Sequence, residues 1–338
     1  MRPMGINILK WLTFSLILSP YLLAKSSNFN AYFKETIHPF WMTKQQGFLP
    51  VTGGKLHYSY FIHKEPKANL IIVHGFTENT LKYRELAYEL YQLGMNIFLY
   101  DHRGHGISLS TTRDKSLVHV DLFQDYVDDL HQLVEQLVEK ESPNLPLRIF
   151  AHSMGGGITV RYMQTYPDKI QKAVLSTPMV DIATGPVPEF VAEFIAKSAI
   201  YLGYDKSIIF GDERPDLKKW TFETNQTTSS KDRFNHYLED FKTSGLPFRG
   251  AATFRWLAEA LKATGEMKRP QEMAKIQTPL LMFQAENDAF VDPEGQDHLC
   301  QSVKACRLIK VPEAKHEIYF ENDAIREPYL TKVAEFLN

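Results

Sequence analysis

The residue types around Ser153 could support nucleophilic catalysis. The segment Ala151–Gly156 (AHSMGG) lies between a predicted strand and a predicted helix. In this setting the pattern small-x-Ser-x-Gly makes a tight turn that presents the serine hydroxyl at the carboxyl end of a sheet. The residues two positions before and two positions after the serine must then be small. The methyl group of Ala151 is a tolerable replacement for the usual glycine at the first of these positions. The pattern predicts Ser153 as a nucleophile.

A serine hydroxyl needs a general base, because the free hydroxyl is a weak nucleophile at neutral pH. In this architecture the acid and then the histidine follow the serine along the chain. The histidines after Ser153 are His236, His298 and His316. His316 follows the last predicted strand, in a loop that can reach back over the sheet. His236 lies in a helix-rich insertion and His298 in the middle of a predicted helix, so we predict His316 as the base.

The carboxylate that orients the base is expected in the turn after the preceding predicted strand. Three acidic residues lie there, Glu286, Asp288 and Asp292. Asp288 is the first choice because it lies at the turn, and the other two are expected to orient loops. Its role would be to hold the imidazole tautomer and to stabilise the protonated ring.

An acyl-transfer intermediate also needs donors for its oxyanion. The residue after the nucleophile, Met154, can offer its backbone N–H from the start of a helix. The second donor is expected in the loop after the third strand, where the Phe76 N–H is best placed. Gly75 would let that backbone turn, and His74 would support the loop.

The segment Asp101–Ser108 (DHRGHGIS) contains glycines and histidines but does not match a dinucleotide site or a metal site. It lacks the third glycine of a dinucleotide fingerprint and follows the fourth strand instead of the first. His102 and His105 have Asp101 beside them but no further ligand nearby. We interpret the segment as a structural loop beneath the site, and we predict no cofactor and no metal.

The elements that must position these residues follow from the hydrophobic pattern. Short apolar strands alternate with amphipathic helices, which indicates parallel βαβ units. The fold class predicted is α/β, with a doubly wound, mostly parallel sheet. Between residues 179 and 273 the alternation stops, which predicts a helical cap whose Tyr and Phe residues pack together or line an acyl pocket. The predicted strands are Phe48–His63 (two strands joined at Gly53 and Gly54), Asn69–His74, Asn96–Tyr100, Leu147–Ala151, Ala173–Ser176, Pro279–Ala285 and Arg307–Val311. The predicted helices are Leu81–Tyr91, His119–Glu139, Thr159–Tyr166, Glu294–Ser302 and Ala324–Leu337.

These patterns divide the chain into four parts. Residues 1–24 have basic flanks and a short apolar stretch, which predicts a signal peptide or an uncleaved membrane anchor. Residues 25–178 and 274–338 are predicted as the two parts of the α/β core, with the cap between them. We therefore expect an exported protein, periplasmic or membrane-associated, with the cytoplasmic face of the inner membrane as the alternative.

Composition restricts the function further. The 338 residues include 38 Lys and Arg and 40 Asp and Glu, for a formal charge of −2, and no long basic run. Nucleic acid is therefore not an expected partner. Two cysteines cannot build a disulfide framework or a Cys-based zinc site. In an oxidising compartment Cys300 and Cys306 could form a bridge across a short loop, and two partly buried thiols remain the equal alternative.

Several further segments carry a resemblance to a known family. The chain resembles α/β-hydrolases of the lysophospholipase L2 and monoacylglycerol lipase group, and within it the bacterial lysophospholipase L2 branch. The resemblance spans about Phe48 to the C-terminus. The segments that carry it are His74–Glu78 (HGFTE), Lys82–Tyr88 (KYRELAY), Asp101–Gly106 (DHRGHG), Asp125–Leu130 (DYVDDL), Ala151–Gly156 (AHSMGG) and His316–Glu321 (HEIYFE).

The resemblance implies a serine ester hydrolase that acts on 2-lysophospholipids without a cofactor. We expect the lipid ester substrate to be met at a membrane surface. It is weakest in the cap, where substrate choice is made, and the export signal departs from it. A monoacylglycerol lipase or general carboxylesterase with the same residues is the alternative. An aminopeptidase on the same fold is disfavoured, because the sequence shows no evident acidic pocket for a free amine. A binding protein that keeps the fold has no need of an intact nucleophile, base and acid, and a membrane-tethered partner protein requires an uncleaved N-terminus.

Overall fold

The computed structural model describes residues 29–210 and 214–338. The predicted signal peptide or anchor, residues 1–24, lies outside the described residues. Within the described ranges, no helix is both long and apolar enough to cross a membrane. The chain divides between Thr43 and Lys44 into two compact units, a division that the sequence did not predict. The described part of the first unit forms consecutive helical segments, Phe29–Tyr32, Phe33–Ile37 and His38–Met42, together called α1.

The second unit is built on an eight-stranded sheet. Its strand order is β1-β2-β4-β3-β6-β7-β9-β10, and only the pairs β1–β2 and β2–β4 are antiparallel. The central strands are buried along their whole length, as expected of parallel strands covered on both faces. The strands of this sheet are β1 Gln45–Val51, β2 Gly54–Phe61, β3 Ala68–Val73, β4 Met95–Tyr100, β6 Leu147–His152, β7 Lys172–Ser176, β9 Leu280–Ala285 and β10 Cys306–Val311; two short strands, β5 Leu117–Val118 and β8 Ala251–Ala252, pair separately.

The helices alternate with the strands, which confirms the predicted α/β-hydrolase fold class. Between β7 and β9 the chain adds helices and the short strand β8. The helices of the second unit are α2 Arg84–Gln92, α3 Gln124–Leu133 (continued by Val134–Val138 and Glu139–Glu141), α4 Met154–Thr165, α5 Glu189–Tyr201, α6 Lys231–Ser244, α7 Phe254–Met267, α8 Pro270–Met273, α9 Pro293–Ser302 and α10 Asp323–Leu337, with single 3₁₀ turns at Thr80–Tyr83, Phe222–Thr224 and Ile318–Phe320.

The start of helix α3 was predicted five residues too early. The sequence predicted a helix from His119, but the helix begins at Gln124. Contacts from the segment between β7 and β9 hold the preceding residues out of the helix. The Thr253 N–H donates to the Val118 carbonyl at 3.1 Å. The Phe123 N–H donates to Glu259 Oε2, also at 3.1 Å.

Helix α4 was predicted to begin at Thr159, but it begins at Met154, directly after Ser153. Its first turn contains three glycines, whose low helix propensity conceals the turn in the sequence. At Gly155 the glycine is a packing requirement. A Cβ there would lie 2.2 Å from the Val73 carbonyl oxygen. The absence of a side chain therefore lets α4 approach β3 closely.

Cys300 and Cys306 form a disulfide bond, with their Cα atoms 5.2 Å apart. The bond joins the last turn of α9 to the first residue of β10. Of the two alternatives that the sequence left open, the structure has the bridge.

Candidate active site

Ser153 lies at the turn between β6 and α4, with φ 51° and ψ −120°. A non-glycine residue with positive φ is uncommon, and such strain is typical of a nucleophile at a strand-to-helix turn. The Ser153 N–H donates to the Ser176 carbonyl at 3.1 Å, and its carbonyl accepts from Met179 N–H at 2.8 Å. Hydrogen bonds to the neighbouring β7 region therefore hold the strained turn in place.

The side chains of Ser153, His316 and Asp288 form a continuous hydrogen-bonded chain. His316 Nε2 lies 2.8 Å from Ser153 Oγ. On the other side of the ring, His316 Nδ1 lies 2.7 Å from Asp288 Oδ2. With Nδ1 protonated, Nε2 can accept the serine proton, which is the arrangement that a serine nucleophile requires.

Asp288 is held as an anion by the groups around it. Burial raises its pKa, but the hydrogen bond from His316 and those from the Phe290 and Val291 N–H groups outweigh burial. The net effect lowers the pKa of Asp288 below its ordinary value. The carboxylate can therefore stabilise a protonated imidazole without taking its proton.

The two alternative acids, Asp292 and Glu286, make contacts of a different kind. Asp292 is the N-cap of α9, where its Oδ1 accepts from the Glu294 N–H at 2.9 Å. Glu286 Oε2 accepts from the Glu313 N–H at 2.8 Å. Both orient loops next to the site, and neither makes a described contact with His316.

The two predicted oxyanion donors start from neighbouring loops. Met154 is the first residue of α4, so its N–H has no partner in the preceding helical turn. Phe76 lies in the loop after β3, and its ring packs on Trp256 with centroids 4.2 Å apart. Both this loop and Ser153 line the same cavity. The role of the two N–H groups as oxyanion donors stays a prediction.

A buried charge cluster that the sequence did not predict supports the Phe76 loop. Glu78 Oε2 accepts from the Gly75 N–H at 2.6 Å. Its Oε1 lies 3.1 Å from Lys82 Nζ, which also pairs with Glu317. Tyr319 donates its hydroxyl proton to Glu78 Oε1 at 2.7 Å. Glu78 thus connects the loop after β3, residues 74–78, to the loop that carries His316. We call residues 74–78 the oxyanion loop, after the predicted role of the Phe76 N–H.

The pKa values in this cluster move in opposite directions. For Glu78, burial raises the pKa, but the charge of Lys82 and the hydrogen bonds from Tyr83 and Tyr319 outweigh it, and the pKa is lowered. For Glu317, burial and the charge of Glu78 keep the pKa raised in spite of Lys82. Burial lowers the pKa of His152 to about 3, so this histidine is neutral next to the nucleophile.

Glu78, His152 and Glu317 are also the one group among the described residues whose ligand atoms could converge on a metal ion. Lys82 contacts both carboxylates. The ammonium group thus supplies the cation that balances them, and the donor set does not fit a metal. A signal for the cluster exists in the sequence only as the spacing of Glu78 and Lys82, four residues apart.

The Asp101–Ser108 segment packs under the oxyanion loop. His102 donates its N–H to His74 Nε2 at 3.0 Å, and His102 Nε2 contacts the His74 carbonyl at 3.0 Å. Asp101 accepts from the Thr80 N–H at 2.8 Å and contacts His57 Nδ1 at 3.1 Å. These side chains are buried and bind backbone groups, which confirms the interpretation as a structural loop.

A cavity of about 650 Å³ opens above Ser153 and His316. Its walls are mainly apolar, with residues from α5, α7 and the turns after β7 and β9. The aromatic residues between β7 and β9 divide between the two roles that the sequence left open. Phe210, Phe254 and Trp256 line the cavity. Phe234 is buried in contact with the rings of Trp220 and Phe222.

The chain is similar in sequence to a known protein family and to two curated bacterial proteins. The family model described as "Serine aminopeptidase, S33" matches residues 64–323. A Haemophilus influenzae protein named "Probable lysophospholipase L2" is 33% identical over 287 residues, 84% of this chain and 88% of that protein. Lysophospholipase L2 of Escherichia coli K12 is 31% identical over 324 residues, 91% of this chain and 93% of that protein.

More distant relatives share the fold. Monoacylglycerol lipase of Mycolicibacterium smegmatis is 26% identical over 280 residues, 82% of this chain and 91% of that protein. A soluble variant of monoglyceride lipase from Saccharomyces cerevisiae, solved with a substrate analogue, is 21% identical and superposes with a TM-score of 0.71. That superposition covers 87% of this chain and 95% of the yeast chain. The superposition therefore supports the fold described above.

Proposed function

This chain belongs to the α/β-hydrolase family described as serine aminopeptidase, S33, and from that premise we propose that it is a serine hydrolase that releases a fatty acid from lysophospholipids. The observation that carries the proposal is the hydrogen-bonded chain of Ser153, His316 and Asp288 at the base of an apolar cavity. The relatives named lysophospholipase L2 support the choice of substrate, since they cover most of this chain.

The mechanism follows from the geometry. Ser153 Oγ attacks the ester carbonyl while His316 Nε2 accepts its proton, and Asp288 stabilises the imidazolium. The Phe76 and Met154 N–H groups bind the oxyanion of the tetrahedral intermediate. His316 then protonates the leaving glycerol oxygen, and water, deprotonated by the same ring, hydrolyses the acyl-enzyme. No step requires a cofactor.

The cavity favours an acyl chain over a charged substituent. Its walls include Met179, Val187, Ile195, Phe254 and Leu257, and apolar walls gain free energy by removing a hydrocarbon chain from water. An aminopeptidase would need a carboxylate for the substrate amine. The two carboxylates that line this cavity, Glu78 and Glu317, already pair with Lys82. We therefore expect no turnover of aminoacyl 4-nitroanilides.

The test uses two substrates with the same acyl chain, 1-oleoyl lysophosphatidylcholine and monoolein. Fatty acid release mainly from the lysophospholipid supports the proposal, whereas release mainly from monoolein would make the chain a monoacylglycerol lipase. Ser153→Ala should abolish both, and Ser302→Ala, an exposed serine on α9, is the control. Covalent labelling of Ser153 by a fluorophosphonate would exclude a non-catalytic binding protein.

We also propose that the enzyme works at a membrane surface. Helix α5 exposes Phe190, Phe194 and Tyr201, which are 73%, 72% and 91% accessible. These positions share one face of the helix, while Ala192 and Ile195 of the same helix line the cavity. An exposed apolar face beside the cavity is suited to a lipid surface. Phe190→Ser with Phe194→Ser should slow hydrolysis of vesicle-borne lysophospholipid and leave soluble 4-nitrophenyl butyrate unaffected.

We propose export as the compartment, on the basis of the N-terminal sequence and the Cys300–Cys306 bond. Export with cleavage predicts a mature chain that begins after about residue 24, and an anchor predicts an intact N-terminus. The intact mass of the protein purified from its native host distinguishes the two. Resistance of both cysteines to alkylation before reduction would support an oxidising compartment.

A further inference from the structure

A second cavity adjoins the cavity above Ser153. Its volume is about 340 Å³. Thr77, Glu78, Thr227 and Glu317 line both cavities, so the two spaces meet beside the oxyanion loop and the loop that carries His316. The mechanism proposed above uses only the first cavity.

One wall of the second cavity contains a buried cation, Arg249, that makes no ion-pair contact among the described residues. Arg249 is 5% exposed, and no carboxylate forms an ion pair with it within the described residues. Its Nη1 donates to the carbonyls of Lys115 and Leu117, and its Nε is a buried donor with no acceptor in the described structure. A guanidinium group does not lose its proton in proteins. Asp101 acts on Arg249 only through its charge and does not contact the guanidinium group. A buried positive charge that lacks an ion-pair partner and still has a free donor points to an anionic ligand.

The same cavity also has an aromatic lining. Trp220 lies 5.2 Å from Phe248, centroid to centroid, and packs edge-on against Tyr237 and Phe241. All four line the cavity. The faces of such rings attract alkylammonium groups as well as hydrocarbon. The exposed carboxylate of Asp216 also lines this cavity and would add a negative charge for an ammonium group.

We propose that this second cavity is a headgroup subsite that binds the zwitterionic phosphodiester group of the substrate. Arg249 binds the phosphate oxygens, and Trp220, Phe248 and Asp216 contact the ethanolamine or choline end. The ester then lies at Ser153 and the acyl chain fills the first cavity. This inference rests on the proposed function, and it explains how the enzyme could prefer a lysophospholipid over a monoacylglycerol of equal chain length.

The kinetic test compares 1-oleoyl lysophosphatidylethanolamine with monoolein, which differ only in the phosphoethanolamine group. Arg249→Gln should lower the ratio of the two kcat/KM values by about tenfold or more, because a hydrogen bond to a charged group is lost only for the phosphorylated substrate. Arg214→Gln is the matched control, since Arg214 is exposed, pairs with Asp114 and does not line the cavity. An unchanged ratio in folded Arg249→Gln protein would overturn the proposal.

A binding measurement covers the case in which Arg249→Gln does not fold. Glycerophosphoethanolamine, the deacylated product, is titrated into the protein without any substitution while tryptophan fluorescence is recorded. We expect a saturable change that Trp220→Phe abolishes, and no change with glycerol or with inorganic phosphate at the same concentration. An equal response to inorganic phosphate would assign the cavity to free phosphate, and no response to glycerophosphoethanolamine would refute the subsite.

The binding measurement also separates this proposal from the proposed function. If the protein hydrolyses 4-nitrophenyl butyrate but no lysophospholipid, the proposed function fails. A saturable Trp220 signal would then show that the headgroup site is nevertheless present. If lysophospholipid is hydrolysed but the signal is absent and the kcat/KM ratio does not respond to Arg249→Gln, the function stands and the subsite fails.

Discussion

Ser153 depends on two kinds of neighbour, which act on different properties. Backbone hydrogen bonds to Ser176 and Met179 hold its strained conformation, and His316 is the proton acceptor in the proposed mechanism. Asp288 acts one step further away, through the His316 ring. The three acidic residues after β9 look similar in the sequence, but only Asp288 makes a described contact with the histidine. The carboxylates can therefore be tested separately.

Replacing Asp288 should impair the chemistry more than binding. In Asp288→Asn the side chain no longer holds His316 in the tautomer that accepts the serine proton, so kcat should fall roughly 10⁴-fold with a small change in KM. Asp292→Asn should keep kcat within about twofold, because Asp292 caps α9 and does not contact His316. Steady-state hydrolysis of 4-nitrophenyl butyrate measures both. A loss of less than tenfold in Asp288→Asn would contradict the assigned role.

At the scale of elements, the site is made where strand ends meet. Ser153 follows β6, Asp288 follows β9 and His316 follows β10, and the oxyanion loop follows β3. The carboxyl ends of parallel strands lie at one edge of the sheet, so residues far apart in the chain converge there. The precision of the site then depends on how closely α4 packs against β3.

Gly155→Ala tests that close approach. A Cβ at position 155 would lie 2.2 Å from the Val73 carbonyl oxygen and 2.5 Å from that of His74, both backbone atoms. We expect a loss of about 3 kcal/mol or more in the free energy of unfolding, and a large loss of activity. Gly265→Ala in α7 is the control, because nothing lies within 4 Å of the added methyl group. It should stabilise the protein by up to about 1 kcal/mol. Denaturant unfolding measures the free energy of unfolding of both variants, and equal values would contradict the packing argument.

The bond between α9 and β10 should contribute stability without affecting catalysis. The cysteines are six residues apart, and closing so short a loop predicts a stabilisation of about 2 kcal/mol. The bond lies at the start of β10 and His316 follows its end, a strand of roughly 20 Å. The double variant Cys300→Ala, Cys306→Ala should therefore unfold at a lower denaturant concentration with unchanged kcat at 25 °C. A large loss of kcat in the folded variant would show that the bond positions the site.

At the scale of the whole molecule, four buried histidines are neutral in the folded protein. Burial lowers the pKa of His74, His102, His105 and His152. In the unfolded chain each would titrate near pH 6.5. Three of them pack under the oxyanion loop and the fourth precedes the nucleophile. The core below the site is therefore uncharged near neutrality, and it is sensitive to acid.

The pH dependence of stability follows from that set. Because the folded-state pKa values are depressed, the unfolded chain binds more protons as the pH falls below about 6.5. The free energy of unfolding should be highest above pH 7 and should fall by roughly 1 kcal/mol per buried histidine between pH 7.5 and 5.5. Urea unfolding at the two pH values measures this. His105→Gln should reduce the fall and exposed His298→Gln should not, and a pH-independent stability would contradict the prediction.

Much of the fold and the outline of the site could be predicted from the sequence, because both depend on local patterns. The alternation of apolar strands and helices determined the α/β class, and the turn at Ser153 is encoded within six residues. The positions of His316 and Asp288 followed from the order of the strands that precede them. These predictions needed no knowledge of which distant residues touch.

Only the tertiary structure decided the features that depend on distant contacts. Lys82 and Glu317 are 235 residues apart, and Arg249 reaches a carbonyl 134 residues away. The start of α3 was set by Thr253 and Glu259, not by its own periodicity. A hydrogen bond or an ion pair forms between whichever groups packing brings within about 3 Å, and no local spacing encodes that encounter. The sequence by itself thus determined the fold class and the predicted nucleophile, base and acid, whereas tertiary packing decided what supports them and what lines the two cavities.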